Sequence, residues 1–367
     1  MTMESLFSGI YQGRKVLITG HTGFKGSWLA FWLRLIGADV CGYSLAPDTD
    51  PNHFSLLNLD ISSKTADIRD FQEVNDCFQS FQPEIVFHLA AQSLVRRSYK
   101  EPLCTFETNI MGTVNVIEAG RLTESVRAVV IVTSDKCYQN NEWEWGYREN
   151  DPIGGHDPYS ASKGCAELVT AAYRDSFFGK NAATKSHPLI ATARAGNVIG
   201  GGDWAEDRLI PDMIRAASRK EKLQIRNPHA IRPWQHVMEP LSGYLLLGQK
   251  LLEGYHEFAE AWNFGPLDEG NATVGKIVYM AKEFWPGIDF ETEIIPDQPH
   301  EAGMLKLDCS KSRAKLKWIP VWDMHAAVEK TTQWYRSFYE LNKVQSLEDI
   351  FHYISDAKTK NVSWVEE

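Results

Sequence analysis

The stretch from Lys15 to Leu45 constrains this chain more than any other. "KVLITG" (Lys15–Gly20) is a short apolar, β-rich run, followed at once by the glycine turn Gly20-His-Thr-Gly23-Phe-Lys-Gly26. Phe24, Trp28, Leu29, Trp32, Leu35 and Ile36 then recur at helical spacing until Gly37 stops the helix. "DVCGYSL" (Asp39–Leu45) reads as a second strand. Strand, glycine turn, helix and strand within about thirty residues make the βαβ unit of a dinucleotide-binding domain. The pattern is GxxGxxG rather than GxGxxG. Gly20 permits the tight turn, Gly23 lets backbone N–H groups approach a pyrophosphate, and Gly26 lets the helix lie close on the strand.

The alternation continues. "PEIVFHLAAQ" (Pro83–Gln92) reads as a buried strand, residues 106–119 as a helix, "AVVIVTSD" as the next strand and "LIATARAGNVIG" (Leu189–Gly200) as one more. This predicts an α/β fold: a doubly wound parallel sheet of the Rossmann type, with ligands beyond the carboxyl ends of its strands. After Gly200 the alternation weakens into turns, arginines and aromatics. That composition suits a smaller, mixed α/β lobe binding a nucleoside diphosphate, because arginine pairs bidentately with phosphate and aromatics stack on a base. The expected division is residues 1–196 for the dinucleotide domain, with a returning segment near 234–265. Residues 197–345 form the interleaved lobe, and 346–367 a tail without a motif.

"AVVIVTSDKCY" ends an apolar run abruptly in Ser134, Asp135 and Lys136. Such a triplet also makes an ordinary wet turn, but here it stands where a ligand is expected. "DPYSASKGCAELV" then begins a helix after Pro158, with Tyr159 and Lys163 four apart on one face. A tyrosine acting as base near neutrality must lose most of its intrinsic pKa of about 10. A neighbouring ammonium and a nicotinamide cation both favour the phenolate.

Composition removes other classes. A formal net charge of −10 over 367 residues argues against a nucleic-acid partner. The six cysteines are scattered without CxxC, as in reduced cytoplasmic proteins. The eleven histidines show no metal-ligand spacing. No run approaches a membrane span or the apolar core of a signal peptide.

Together these motifs resemble the extended short-chain dehydrogenase/reductase family, and within it the nucleotide-sugar 4,6-dehydratases, from about Arg14 to the neighbourhood of Trp318. Gly20, Gly23, Phe24 and Gly26 match the cofactor fingerprint, and Asp67 and Ile68 in "DIRD" the adenine contact. Leu89, Ala90 and Ala91 match the strand beside the nicotinamide ribose, and Asn109 in "ETNIMGT" completes the cofactor set. "TSDKCY", "AAQSLVRRSY", "GNVIGGGDW" and "RPWQHV" resemble the branch acting on CDP-glucose.

The resemblance implies NAD as cofactor and CDP-glucose as substrate, with Gln92, Asn197, Arg208 and Arg232 on the substrate. It implies oxidation at C4 with Tyr159 taking the hydroxyl proton, Ser134 hydrogen-bonding and Lys163 holding the nicotinamide ribose. Water is then lost across C5 and C6, and the hydride returns to C6. Asp135 as acid and Lys136 as base are the expected pair for the elimination, provided their side chains point apart as neighbours on an extended chain do. The family pairs helices like 106–119 and 159–174 across a dimer, implying a homodimer or a dimer of dimers.

One departure concerns the second strand, which ends at Ser44 where an NAD site usually carries an acid, with Asp48 rather late. Trp143 and Trp145 either wall the sugar site or anchor a loop. A nucleotide-sugar 4-epimerase would leave Asp135 and Lys136 without work. A non-catalytic sensor of the same fold predicts damage to the serine, tyrosine or lysine, and all three are present.

Overall fold

Strands β1 (Lys15–Thr19), β2 (Asp39–Ser44), β3 (Ser62–Thr65), β4 (Ile85–His88), β5 (Ala128–Val132) and β6 (Leu189–Ala195) follow one another in the first half. β7 (Asn197–Ile199), β8 (Lys222–Ile225), β9 (Ile231–His236), β10 (Ala261–Phe264), β11 (Asn271–Thr273) and β12 (Asp289–Thr292) follow in the second. The computed structural model describes residues 3–178, 188–225, 227–292 and 303–365. Seven strands form the central sheet in the order β10-β6-β5-β4-β1-β2-β3, every pair parallel. β4, β5 and β6 are buried at every position, as expected of parallel strands covered by helices on both faces.

Register aligns the strand ends. Thr19 pairs with His88, His88 with Ile131, and Val132 with Ala193. The glycine turn, Leu89, Thr133 and Gly196 therefore leave the sheet along one edge. The order of the sheet reverses around β1, which puts a cleft at that edge.

Three stretches take a form that the sequence left undefined. Leu189–Gly200 is not one strand: β6 stops at Ala195, and β7 joins β9 and β11 in a separate three-stranded sheet. A Cβ on Gly196 would stand 2.5 Å from Pro233 and 3.2 Å from Asp135, so only glycine lets the chain cross there. The returning segment supplies the helix Met238–Leu252 and then β10 to the central sheet, while β9 stays in the lobe. Residues 346–365, read as a tail without a motif, pack on the core. The helix Ser346–Thr359 buries Ile350, Tyr353, Ile354 and Ala357. Trp364 stacks on Phe7 and Tyr353 at 5.2 and 5.8 Å, closing the core beneath Trp32.

The helix Pro158–Phe177 follows from its first residues. Proline at its start has no N–H to satisfy, and the Asp157 side chain accepts from Ser160 N at 2.9 Å.

Candidate active site

A cavity of about 780 Å³ opens along the aligned strand ends. It runs from the glycine turn, past Ser134, Asp135, Lys136, Tyr159 and Lys163, to Asn197, Arg208, Arg232 and Trp234. The expected residues Gly20, Gly23, Phe24, Gly26, Asp67, Ile68, Leu89, Ala90, Ala91 and Gln92 line it too.

Its dinucleotide end is built by exclusion. Gly20 has φ +78°, and a Cβ there would meet Ala90 N at 2.7 Å; one on Gly26 would meet Gly20 O at 2.0 Å. A Cβ on Gly23 would find only Gly20 O at 3.4 Å, so that position faces the cavity. The helix Phe24–Leu35 begins here with its first N–H groups lacking a side-chain cap. These are the residues a dinucleotide pyrophosphate requires, and they fit one.

The adenosine side departs from the usual pattern. The Ser44 hydroxyl is spent on Thr22 Oγ1 at 2.8 Å, and Asp48 faces Arg97 at 3.7 Å. Asp67 chelates Arg69, with its backbone N–H at 2.9 Å and Nη2 at 2.7 Å, which holds the Asp67 carboxyl below its ordinary range.

Asn109 does not line the cavity. It is buried behind the wall, accepting from Gln92 N at 2.9 Å and donating to Gln92 O at 2.9 Å and Ser162 Oγ at 2.8 Å. It thus brackets the backbone at the end of β4 rather than facing a ligand. Trp143 and Trp145 do not wall the cavity either. Trp143 stacks on Tyr147 at 5.1 Å, and Trp145 stands exposed. Asn140 and Glu142 from the same loop reach the cavity instead.

At the centre, Asp135–Cys137 is a single turn of 3-10 helix, capped by the Ser134 hydroxyl accepting from Lys136 N at 3.2 Å. The condition that Asp135 and Lys136 point apart on extended chain is therefore not met. Lys136 Nζ lies 3.4 Å from Asp135 Oδ1, which also accepts from Ser134 Oγ at 3.0 Å. Asp135 Oδ2 is buried without a hydrogen-bond partner.

Tyr159 is buried, and that burial pushes its pKa up to about 12, against lowering by the Ser134 hydroxyl. In the protein alone, then, desolvation outweighs the nearby cations. Lys163 Nζ donates to Val132 O at 3.1 Å. Burial pulls it down to about 8, opposed by Glu167 and Cys137.

Arg208 bridges the rim, donating to Asp203 at 2.8 Å and Ser93 Oγ at 2.8 Å. Arg232 is buried, donating to Ile231 O at 2.9 Å and Gly303 O at 3.3 Å. Asn197 lies at the start of β7 on the cavity wall.

Lys25 was not singled out from sequence. It extends from the glycine turn into the cavity, where burial and then Arg208 and Lys163 lower its pKa to about 7. The available signal was a charge in "GFKG", between two glycines where an apolar side chain would pack more cheaply.

A glycine-turn cleft on a doubly wound sheet, with serine, tyrosine and lysine at its centre, defines an extended short-chain dehydrogenase/reductase. The chain belongs to the GDP-mannose 4,6 dehydratase family, which it matches over residues 17–331. It is 50% identical over 331 residues to the CDP-glucose 4,6-dehydratase of Salmonella typhimurium, covering 89% of this chain and 92% of that one. Among solved structures it resembles an epimerase from Methanothermobacter thermautotrophicus, with TM-score 0.76, 23% identity and coverage of 90% and 95%. It also resembles the NAD complex of the Bacillus anthracis dTDP-glucose 4,6-dehydratase, with TM-score 0.74, 19% identity and coverage of 89% and 98%. Among the described residues no helix is long and apolar enough to cross a membrane.

Proposed function

We propose that this chain is an NAD-dependent CDP-glucose 4,6-dehydratase of the cytoplasm. The observation that carries this reading is the Asp135–Lys136 pair beside Tyr159, at a strand end where an epimerase needs no second acid and base. The Salmonella typhimurium relative supports the choice of sugar nucleotide. Bound NAD would supply the chemistry of accepting a hydride from C4 and returning it to C6.

The protein's own groups handle the protons. Tyr159 Oη takes the proton of the C4 hydroxyl, with Ser134 Oγ hydrogen-bonded beside it. Its pKa of about 12 in the protein alone must fall for this, and a cation bound against it acts in that direction. Oxidation first makes chemical sense, because a C4 ketone acidifies the C5 proton. Lys136 Nζ removes that proton, and Asp135 protonates the departing C6 hydroxyl, which leaves as water. Lys136 returns its proton to C5, and the proton held by Tyr159 makes good the one Asp135 gave up; with the C6 hydride that bound cofactor would supply, the 4-keto-6-deoxy product forms with no net redox change.

The 3.4 Å approach of these two side chains serves the same end. One proton passing from Lys136 Nζ to Asp135 Oδ1 turns an ammonium and a carboxylate into the amine and the acid that elimination requires. Lys163 holds the nicotinamide ribose, the glycine turn holds the pyrophosphate, and Arg208 and Arg232 take the substrate diphosphate. Gln92 and Asn197 complete the sugar site.

The assembly that fits is a homodimer or a dimer of dimers. Met111 and Leu168, on the helices at 106–119 and 159–174, are 50% and 59% exposed, an apolar face that a second copy would cover.

The test is turnover of CDP-glucose with NAD, followed by NMR. The C6 hydroxymethylene signal is expected to give way to a methyl group beside a C4 ketone. Appearance of the galactose configuration with C6 intact would overturn the reading in favour of an epimerase.

A further inference from the structure

Behind the catalytic turn lies a second charged pair that the chemistry above does not use. Glu167 is on the tyrosine helix, one turn beyond Lys163 and two beyond Tyr159. Arg194 is on β6. Both side chains are 4% exposed, and Arg194 Nη2 donates to Glu167 Oε2 at 2.8 Å.

Their remaining bonds enclose the turn. Glu167 accepts from Thr133 Oγ1, in the residue just before Ser134, and from Thr192 Oγ1 at 2.7 Å. Arg194 Nη1 donates to Tyr138 Oη at 2.7 Å, in the residue just after the turn, and to Glu149 O at 3.1 Å. The Arg194 guanidinium also lies over the Tyr138 ring at 4.9 Å, and Tyr138 Oη donates onward to Asn263 at 2.7 Å. Lys163 binds Val132 O, so Lys163 and Glu167 grip consecutive residues of the strand end.

We infer that Glu167 and Arg194 are the positioning pair of this active site: a buried clamp that fixes both ends of the Ser134–Cys137 turn against the helix bearing Tyr159 and Lys163. The inference rests on the proposed dehydratase reading for what the turn does, and on geometry alone for how it is held. A clamp of this kind sets the distance between Tyr159 and Ser134. A residue misplaced by an ångström in such a constellation costs about a hundredfold in rate.

The carboxylate has a second effect. Lys163 is faced by Glu167 and Cys137, and its charge acts in turn on Lys25 and His88. Glu167 is the largest influence keeping Lys163 protonated against its burial. Arg194 and Arg174 face Glu167 in turn, while Asp135, Asp157 and Arg208 face Tyr159. Loss of the Glu167 charge therefore lowers the Lys163 pKa from about 8 toward neutrality.

The test compares Glu167→Gln, Glu167→Asp and the double variant Glu167→Met/Arg194→Met with wild type. C4 oxidation of CDP-glucose in a single turnover and NAD affinity are each measured across pH. Glu167→Gln is expected to slow C4 oxidation roughly tenfold or more and to move its alkaline limb down by about one pH unit. KM for CDP-glucose should stay within about threefold, because the pair does not line the cavity. Glu167→Asp, which keeps the charge, should restore the limb.

The double variant removes both charges together and so remains folded where a lone buried charge would not. It should show the same shift. A uniformly lower rate with an unmoved limb in every folded variant would reduce the pair to ordinary structure and overturn the inference. If wild type fails to turn over CDP-glucose, the dehydratase reading fails. The pH dependence of NAD affinity, through Lys163, still decides the clamp.

Discussion

Two buried carboxylates at the same strand end have opposite fates. Asp135, on the cavity side, keeps one oxygen without a partner and shares the other with Ser134 and Lys136. Glu167, behind it, is fully engaged by Thr133, Thr192 and Arg194. A buried polar atom without a partner costs stability, of the order of 1–3 kcal/mol, and persists where chemistry uses it. A saturated one fixes geometry. On the proposed reading the front of the site is left unsatisfied where protons move, and the rear is saturated where geometry is held.

That contrast predicts that front substitutions change rate with little change in stability, whereas rear substitutions change both. The largest effect belongs to Tyr159→Phe, which should slow C4 oxidation by about 10³-fold while leaving the melting temperature and CDP-glucose affinity near wild type. Stopped-flow absorbance of the reduced cofactor measures the step. At the rear, Arg194→Met strands the Glu167 charge and should cost about 3–5 kcal/mol in urea unfolding. Loss of under 1 kcal/mol would remove the distinction between the two regions.

Lys136→Met should reduce full turnover by about 10²-fold while C4 oxidation persists, and exchange of the C5 hydrogen with solvent should cease. Exchange that continues would move the base elsewhere. Asp135→Asn should slow elimination, because an amide has no carboxyl proton to give, yet cost less in urea unfolding than Arg194→Met, because the pair it breaks is long and its Lys136 partner is partly exposed. Smallest is the pH effect. Lys163 is an ammonium below about 8 and neutral above it, so wild-type kcat/KM should fall as pH rises through about 8. A flat profile to pH 10 would show that the bound cofactor resets that group.

The front of the site was legible in the sequence because its signals are local. A glycine turn, a strand-end triplet and a Tyr/Lys pair four apart each declare themselves within one element. The rear was not, because Glu167 and Arg194 are 27 residues apart and meet only once the helix is laid against β6. A glutamate one turn beyond Lys163 on a largely buried helix was the available hint. β3, the polar segment Ser62–Thr65, has no alternation to read and is a strand only because β2 offers it an edge. The break at Gly196 depends on the approach of Pro233 from the other lobe. The facing of Asp135 and Lys136 turned on a capped turn that their extended neighbours concealed. Burial of the helix Ser346–Thr359 was lost for a related reason, since Trp32, which meets its Tyr353, lies at the other end of the chain.

The central claim is that one cavity oxidises C4, eliminates across C5 and C6 and keeps the hydride throughout. It is tested most directly with CDP-glucose carrying deuterium at C4, mixed with unlabelled substrate, NAD and the protein, and followed by NMR and mass spectrometry. The account predicts deuterium at C6 of the 4-keto-6-deoxy product, within the molecule that carried it at C4. Deuterium restored to C4 of a galactose-configured sugar, or scrambled into unlabelled molecules, would contradict it.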